Sequence, residues 1–210
     1  MYKRILLLFL FCNLSIGLLA QKDSLLIGDR YSDDQLYVSV SYAQFYNQPS
    51  VITKSSFSYG LSTGFIKDFS LNKSGTFSIA GGVGYGYTYF NHELKVDDIN
   101  GVTVFSNDNT ITSNFFRSHN LEFPLELRWR TSTANKYNFW RIYTGIKFLY
   151  DFSHSFEYFD NVGNVFKYTN VSSYRKLQYG LTLSAGYDEF NINVFYGLTP
   201  IFKNSTLNGE

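Results

Sequence analysis

Residues 120–131 read N-L-E-F-P-L-E-L-R-W-R-T. Leu121, Phe123, Leu125, Leu127 and Trp129 hold the odd positions; Glu122, Pro124, Glu126, Arg128 and Arg130 hold the even ones. Strict period-two alternation makes a strand whose two faces meet different surroundings. One face here is wholly apolar, and the other carries two carboxylates and two guanidiniums. A soluble sandwich would turn the charged face to bulk water. A membrane barrel does the reverse, with apolar side chains out to lipid and charges in to a closed lumen.

The pattern recurs along the chain and predicts seven strands, at 36–46, 56–69, 76–90, 115–131, 139–152, 174–187 and 190–199. In the third, Phe77, Ile79, Val83, Tyr85, Tyr87 and Tyr89 alternate with Ser78, Ala80, Gly82, Gly84, Gly86 and Thr88. The G-x-G-x-G run is no nucleotide fingerprint, because no helix follows it. It places small residues on one strand face, which suits a narrow lumen shared with large side chains from elsewhere. Asn100-Gly101, between 94–96 and 102–105, reads as a hairpin turn. Asn161 and Gly163 mark a second turn inside an otherwise irregular 153–173. Pro124 lacks an N–H and should mark a bulge or a ladder break.

Connections alternate in length. Loops at 47–55, 91–114 and 153–173 are long, whereas turns at 71–75, 132–138 and 188–189 are short. Membrane barrels keep short turns on the periplasmic side and long loops outside. The fold class expected is therefore all-β, an antiparallel up-and-down transmembrane β-barrel. Bacterial single-chain barrels have an even strand number. Eight strands are nominal here, and the C-terminal strand is expected to be missing from 200–210, which is polar. An open sheet in lipid would leave backbone groups unpaired along two edges.

Composition agrees with strands and turns. Aromatic residues make up 20% and charged residues 17%, and mean hydropathy is only −0.16, too low for a helical membrane protein. The N-terminus stands apart: Lys3 and Arg4 precede an apolar run at 5–19 that Ala20 closes. That is a secretory signal peptide, with cleavage expected between Ala20 and Gln21. The run is short for a spanning helix, which needs about 20 residues. Bulky Phe11 before Cys12 argues against lipidation at that cysteine. The organisation read is thus 1–20 signal peptide, 21–35 periplasmic lead-in and 36–210 barrel. Loss of Lys3 and Arg4 from 18 basic residues leaves 16 against 17 acidic ones. Nothing in that balance suggests nucleic acid as a partner. The mature chain has no cysteine, so thiol chemistry does not apply.

Candidate chemistry gathers on the even face of the fourth strand and the face of the fifth that adjoins it. Glu122, Glu126, Arg128 and Arg130 become cross-strand neighbours of Arg141, Lys147 and Asp151. Two readings follow: a charged conduit or binding site, or a salt-bridged plug filling a lumen just wide enough for side chains. Trp129 and Trp140 fall at one end of their strands, and Tyr87, Tyr89, Phe148 and Tyr150 at the other. Two aromatic bands suit the headgroup levels of a bilayer; a carbohydrate-binding stripe is the alternative. No catalytic, cofactor or metal site is expected. His154, with its serine neighbours and a place expected on the outer rim, is the one hook for a lipid hydrolase. Asp97, Asp98 and Asp108 lack the spacing of a calcium loop.

The blocks N-L-E-F-P-L-E-L-R-W-R (120–130), F-W-R-I-Y-T-G-I-K-F (139–148) and Y-G-L-T-P-I-F-K (196–203) resemble the PorT family, small outer-membrane β-barrels of Bacteroidetes. That resemblance implies an outer-membrane location, outer-membrane lipid as surroundings, and a non-enzymatic role. It also implies, through the namesake, type IX protein secretion with other secretion-system components as partners. Membership is broad, so a porin-like or anchoring barrel whose outer loops bind a ligand is the other expectation.

Overall fold

The computed structural model describes residues 32–46, 57–92, 94–99, 102–107, 111–131, 140–169, 171–188 and 190–203. The signal peptide, the start of the lead-in, the 47–55 loop and the 132–138 turn lie outside them. Ten strands form, and no helix is present among the described residues.

Eight strands make one antiparallel sheet, seven of them in the order β1 (Gln35–Tyr42), β2 (Tyr59–Ser70), β3 (Phe77–Asn91), β6 (Ile111–Arg130), β7 (Trp140–Asp160), β9 (Leu177–Tyr187), β10 (Phe190–Gly197). These correspond to the seven strands of the sequence pattern. β4 (Leu94–Ile99) and β5 (Val102–Asn107) pair as a separate hairpin, and β8 (Val165–Thr169) folds back on the end of β7. All neighbouring pairs are antiparallel, and the sheet curls so that β1 faces β6 across a lumen. Tight turns at Gly75 (φ 69°) and Asp188 (φ 56°) sit at one end, called here the turn end. The other is the loop end.

Burial follows the alternation. On β6 every even position from Asn114 to Arg130 except Glu126 is buried, and the odd positions from Leu121 to Trp129 are exposed. That apolar stripe covers 121–129, about 20 Å of height for a strand tilted near 40°, close to the apolar band of about 25 Å that outer-membrane barrels present.

Several boundaries differ from the pattern. The 153–173 stretch is not a long loop: β7 runs on to Asp160 and β8 follows, turning at Gly163 (φ 92°). β6 starts at Ile111 rather than 115. β1 ends at Tyr42, and β9 starts at Leu177 after a turn at 171–176. Pro124 keeps its register with Lys147 on the β7 side. On the β3 side pairing stops at Gly81↔Leu125 and resumes at Gly84↔Glu122. The break expected at the proline falls on that one ladder.

β1 and β10 do not pair. Alternation along the sheet makes them run in the same direction, from turn end to loop end. Their outward residues lack a neighbour on one side: Val38 and Ile192 are each 81% exposed, against 53% for Leu125 in mid-sheet. The two edges meet at the loop end, where Tyr46, past the end of β1, stacks on Tyr196 of β10 at 4.7 Å and its hydroxyl donates to the Gly197 carbonyl.

Candidate functional site: the filled lumen

The inward side chains form three tiers. The tier at the turn end is ionic. Arg128 and Arg130, two apart on β6, point inward together and are fully buried. Burying two guanidiniums costs several kcal/mol each unless anions and carbonyls satisfy them. Asp68 of β2 meets that need: its carboxylate accepts from Arg130 Nη2 at 2.8 Å, Arg128 Nη1 at 3.5 Å and Ser78 Oγ at 2.6 Å. Arg130 Nε donates to the Gly75 carbonyl at 2.7 Å, and Arg128 Nε to Glu126 at 2.9 Å. Arg128 also lies over the Tyr143 ring at 4.4 Å. Arg141 is buried on the same face as the cross-strand partner of Arg130.

The lead-in supplies the remaining contacts. Its residues 32–34 fold into the mouth. The Asp33 carbonyl accepts from Arg128 at 3.2 Å, its carboxylate accepts from the Tyr143 hydroxyl at 3.2 Å, and its N–H donates to Asp68 at 3.1 Å. Arg130 Nη1 lies 3.8 Å from the Asp33 carboxylate. Asp34 accepts from the Asp68 N–H, Ser32 and Lys67. Partial burial pushes the Asp34 carboxyl up, but those donors outweigh it and hold its pKa below the usual value. The mouth is therefore stitched shut by backbone and side chain alike.

The middle tier is sparse. Glu122 accepts from Lys147 and from the Tyr37 hydroxyl, both at 3.2 Å, and Lys147 sits 5.0 Å from the Phe195 ring centre. The small face of β3 makes room for them: a Cβ on Gly84 would lie 2.2 Å from Tyr37 Oη, and one on Gly86 2.5 Å from Glu122 Oε1. A cavity of about 1680 Å³ opens here; it is lined from Asp33 and Arg141 at the turn end to Phe116 and Phe105 at the loop end, and it reaches the β1–β10 seam.

The tier at the loop end is aromatic. Phe116 stacks on Phe156 at 4.5 Å, and Phe45 on Phe90 at 4.0 Å. Val96 and Phe105 of the β4–β5 hairpin and Val171 and Tyr174 of the following turn complete the cluster, with Phe202 against Phe105 at 4.7 Å. A bulge in β7 at Phe152 turns Asp151 and His154 inward together, 2.8 Å apart. Tyr174 covers the imidazole at 4.1 Å between ring centres and donates to Asp151 at 3.4 Å. Burial, then the Asp151 charge, pushes the Tyr174 hydroxyl pKa up.

The seven residues of the expected charge cluster thus do not form one site. Glu126, Arg128, Arg130 and Arg141 stand at the turn end, Glu122 and Lys147 in the middle, and Asp151 joins His154 at the loop end. Asp68, Asp33 and Tyr37 complete the network from elements the β6–β7 pairing does not reveal, and Tyr143 joins it from β7 as the cross-strand partner of Arg128. His154 is buried in the lumen, not on the outer rim. The interface aromatics lie on the outer wall, with Trp140 5.1 Å from Tyr187 at the turn end and Tyr89 5.2 Å from Tyr59 at the loop end. Phe148, 6.1 Å from Tyr179, sits two residues below Tyr150 and so within the band. Among the described residues no cluster is arranged to hold a metal; Asp97 instead accepts from Tyr158 at 2.8 Å.

An antiparallel sheet curled around its charges, with a lipid-width apolar band outside, defines a transmembrane β-barrel. The chain belongs to the family described as outer membrane protein beta-barrel domain, whose model matches residues 19–203. That family is generally non-enzymatic, and membership places the barrel in the outer membrane. No curated protein and no solved structure matches the chain.

Proposed function

We propose that this chain is a non-enzymatic barrel that works as a fixed component of an envelope assembly, of the PorT kind, and not as a pore. The observation that supports this most is the pair of seals: the Arg128–Arg130–Asp68–Asp33 network at the turn end and the Phe116–Phe156 cluster at the loop end. A solute path would have to break buried ion pairs at one end or an aromatic core at the other. The chain is exported on the signal peptide at 1–20, and short turns face the periplasm. The barrel closes by one further strand at the seam, running from loop end to turn end and so antiparallel to both β1 and β10. PorT-like blocks at 120–130 and 139–148 favour a role in type IX secretion, with other secretion components as partners. An anchoring barrel whose loop-end hairpins hold a ligand is the second reading, favoured by the length of β6 and β7, 20 and 21 residues, about twice what spans a bilayer.

Reconstitution into planar bilayers tests the seals. Silence is expected, and stable single-channel steps would overturn the fixed-component reading. Deletion of the gene followed by quantification of exported proteins tests the secretion role. Loss of exported cargo is expected; an unchanged set would leave the anchoring reading in its place.

A further inference from the structure

Above the apolar band, the outer wall changes character in a way the sealed lumen does not use. On β6 the outward residues are Leu121 at the top of the band, then His119, Arg117 and Phe115. Register places Tyr87 and Tyr89 beside His119 and Arg117 on one flank, and Ser153 and Ser155 on the other. Tyr59 continues the row beyond Tyr89, and Thr169 beyond Ser155. Arg117 is four residues past Leu121, roughly 10 Å higher along a tilted strand, which is headgroup depth.

The patch combines cation, hydroxyl and aromatic face. The Arg117 side chain is 33% exposed, pairs with Glu157 at 3.2 Å, and lies 5.9 Å from the Tyr89 ring centre and 5.6 Å from that of Phe115. Lys167 stands opposite Glu157 on the same face and is exposed. The Tyr85 hydroxyl and His119 Nδ1 are 2.6 Å apart. Arg117 and Lys167 outnumber Glu157 on this face. Rows of hydroxyls and tyrosine faces suit sugar rings, and the two cations suit phosphate.

We propose that this surface, between β2 and β8 above Leu121, docks the phosphorylated glycolipid headgroup of the outer leaflet. Its acyl chains lie on the Leu121–Tyr150 level of the band, its phosphate reaches Arg117 and Lys167, and its sugars lie on Tyr87 and Tyr89. Charge complementarity commits the site to an anionic lipid. Glu157 opposes the phosphate and sets its affinity.

The test uses the full chain in detergent micelles, with a diphosphorylated glucosamine-disaccharide lipid as probe. Controls are the same lipid with its phosphates removed, and inorganic phosphate. Each cation lost at Arg117→Gln or Lys167→Gln weakens retention about fivefold. Glu157→Gln strengthens it, and Lys73→Gln in the opposite turn changes nothing. A purely structural Arg117–Glu157 pair would instead make both partners' variants move retention the same way. Equal retention of the dephosphorylated lipid, equal affinity for inorganic phosphate, or no change in Arg117→Gln and Lys167→Gln would each overturn the proposal.

Discussion

Asp68 carries more of the turn-end seal than any other single side chain. It holds two buried guanidiniums, one serine and one lead-in amide through a single carboxylate. Removing one partner from a buried ionic group leaves uncompensated charge, at about 3–5 kcal/mol. Asp68→Ala should therefore lower the urea midpoint of the folded barrel by far more than Lys67→Ala, whose pair with Asp34 has a half-exposed amine. Equal shifts would count against the network. At the other end His92 is buried beneath the β4–β5 hairpin, where its Nδ1 accepts the Leu94 N–H at 3.1 Å. Burial alone pushes its pKa from 6.5 down to about 4. The folded value lies below the unfolded one, so this stabilisation is whole above pH 6.5. It is lost as pH falls through that value towards 4, by about 3 kcal/mol at most. The protection factor of the Leu94 amide, its exchange measured against the intrinsic rate at each pH, should fall at pH 5 relative to pH 7. His92→Gln should flatten that dependence; an unchanged slope in the variant would assign it elsewhere.

The elements show where period-two reading works and where it stops. From Leu121 to Trp129 lipid and lumen are the two environments, and alternation reports them directly. Beyond Phe152 the environments exchange roles. The inward face there, His154, Phe156 and Tyr158, builds an aromatic cap, while Ser153, Ser155 and Glu157 face outward. The bulge at Phe152 shifts the phase just where the polarity inverts. A pattern searched for apolar-out therefore ends at 152, although the strand runs to Asp160. Asp68 and Asp33 were illegible for a different reason. They reach Arg130 across the lumen, and sequence register pairs only neighbouring strands. The glycines of β3 were legible as small residues but not as a socket for Tyr37. Because a Cβ on Gly84 would also come within 2.8 Å of the Thr63 carbonyl, Gly84→Val should destabilise the barrel by about 1–3 kcal/mol. Tyr37→Ala in the same chain should restore part of that, leaving the backbone share. No recovery in the double variant would show that the crowding is all backbone.

At the scale of the whole molecule the seam governs assembly. Among the described residues no strand pairs with the outer edges of β1 and β10, and in lipid each unsatisfied backbone group on such an edge costs several kcal/mol. The two edges run the same way, so they cannot close on one another in the antiparallel manner of the other pairs. A second copy inserted with the same orientation brings only another parallel edge. One strand running from loop end to turn end satisfies both. Its outward residues would sit between Val38 and Ile192, and its inward ones between Ser39 and Asn193. Register is therefore demanding, because a slip of one residue moves every apolar side chain into the lumen. A chain extended after Glu210 by a designed strand of about ten residues, apolar outward and Ser/Thr inward, should migrate on unheated gels as a compact heat-modifiable band. It should also resist protease in bilayers. The same residues with the pattern shifted by one should do neither. If both designs behave alike, what closes the seam is not register-specific strand pairing, and the edges must be satisfied by another route.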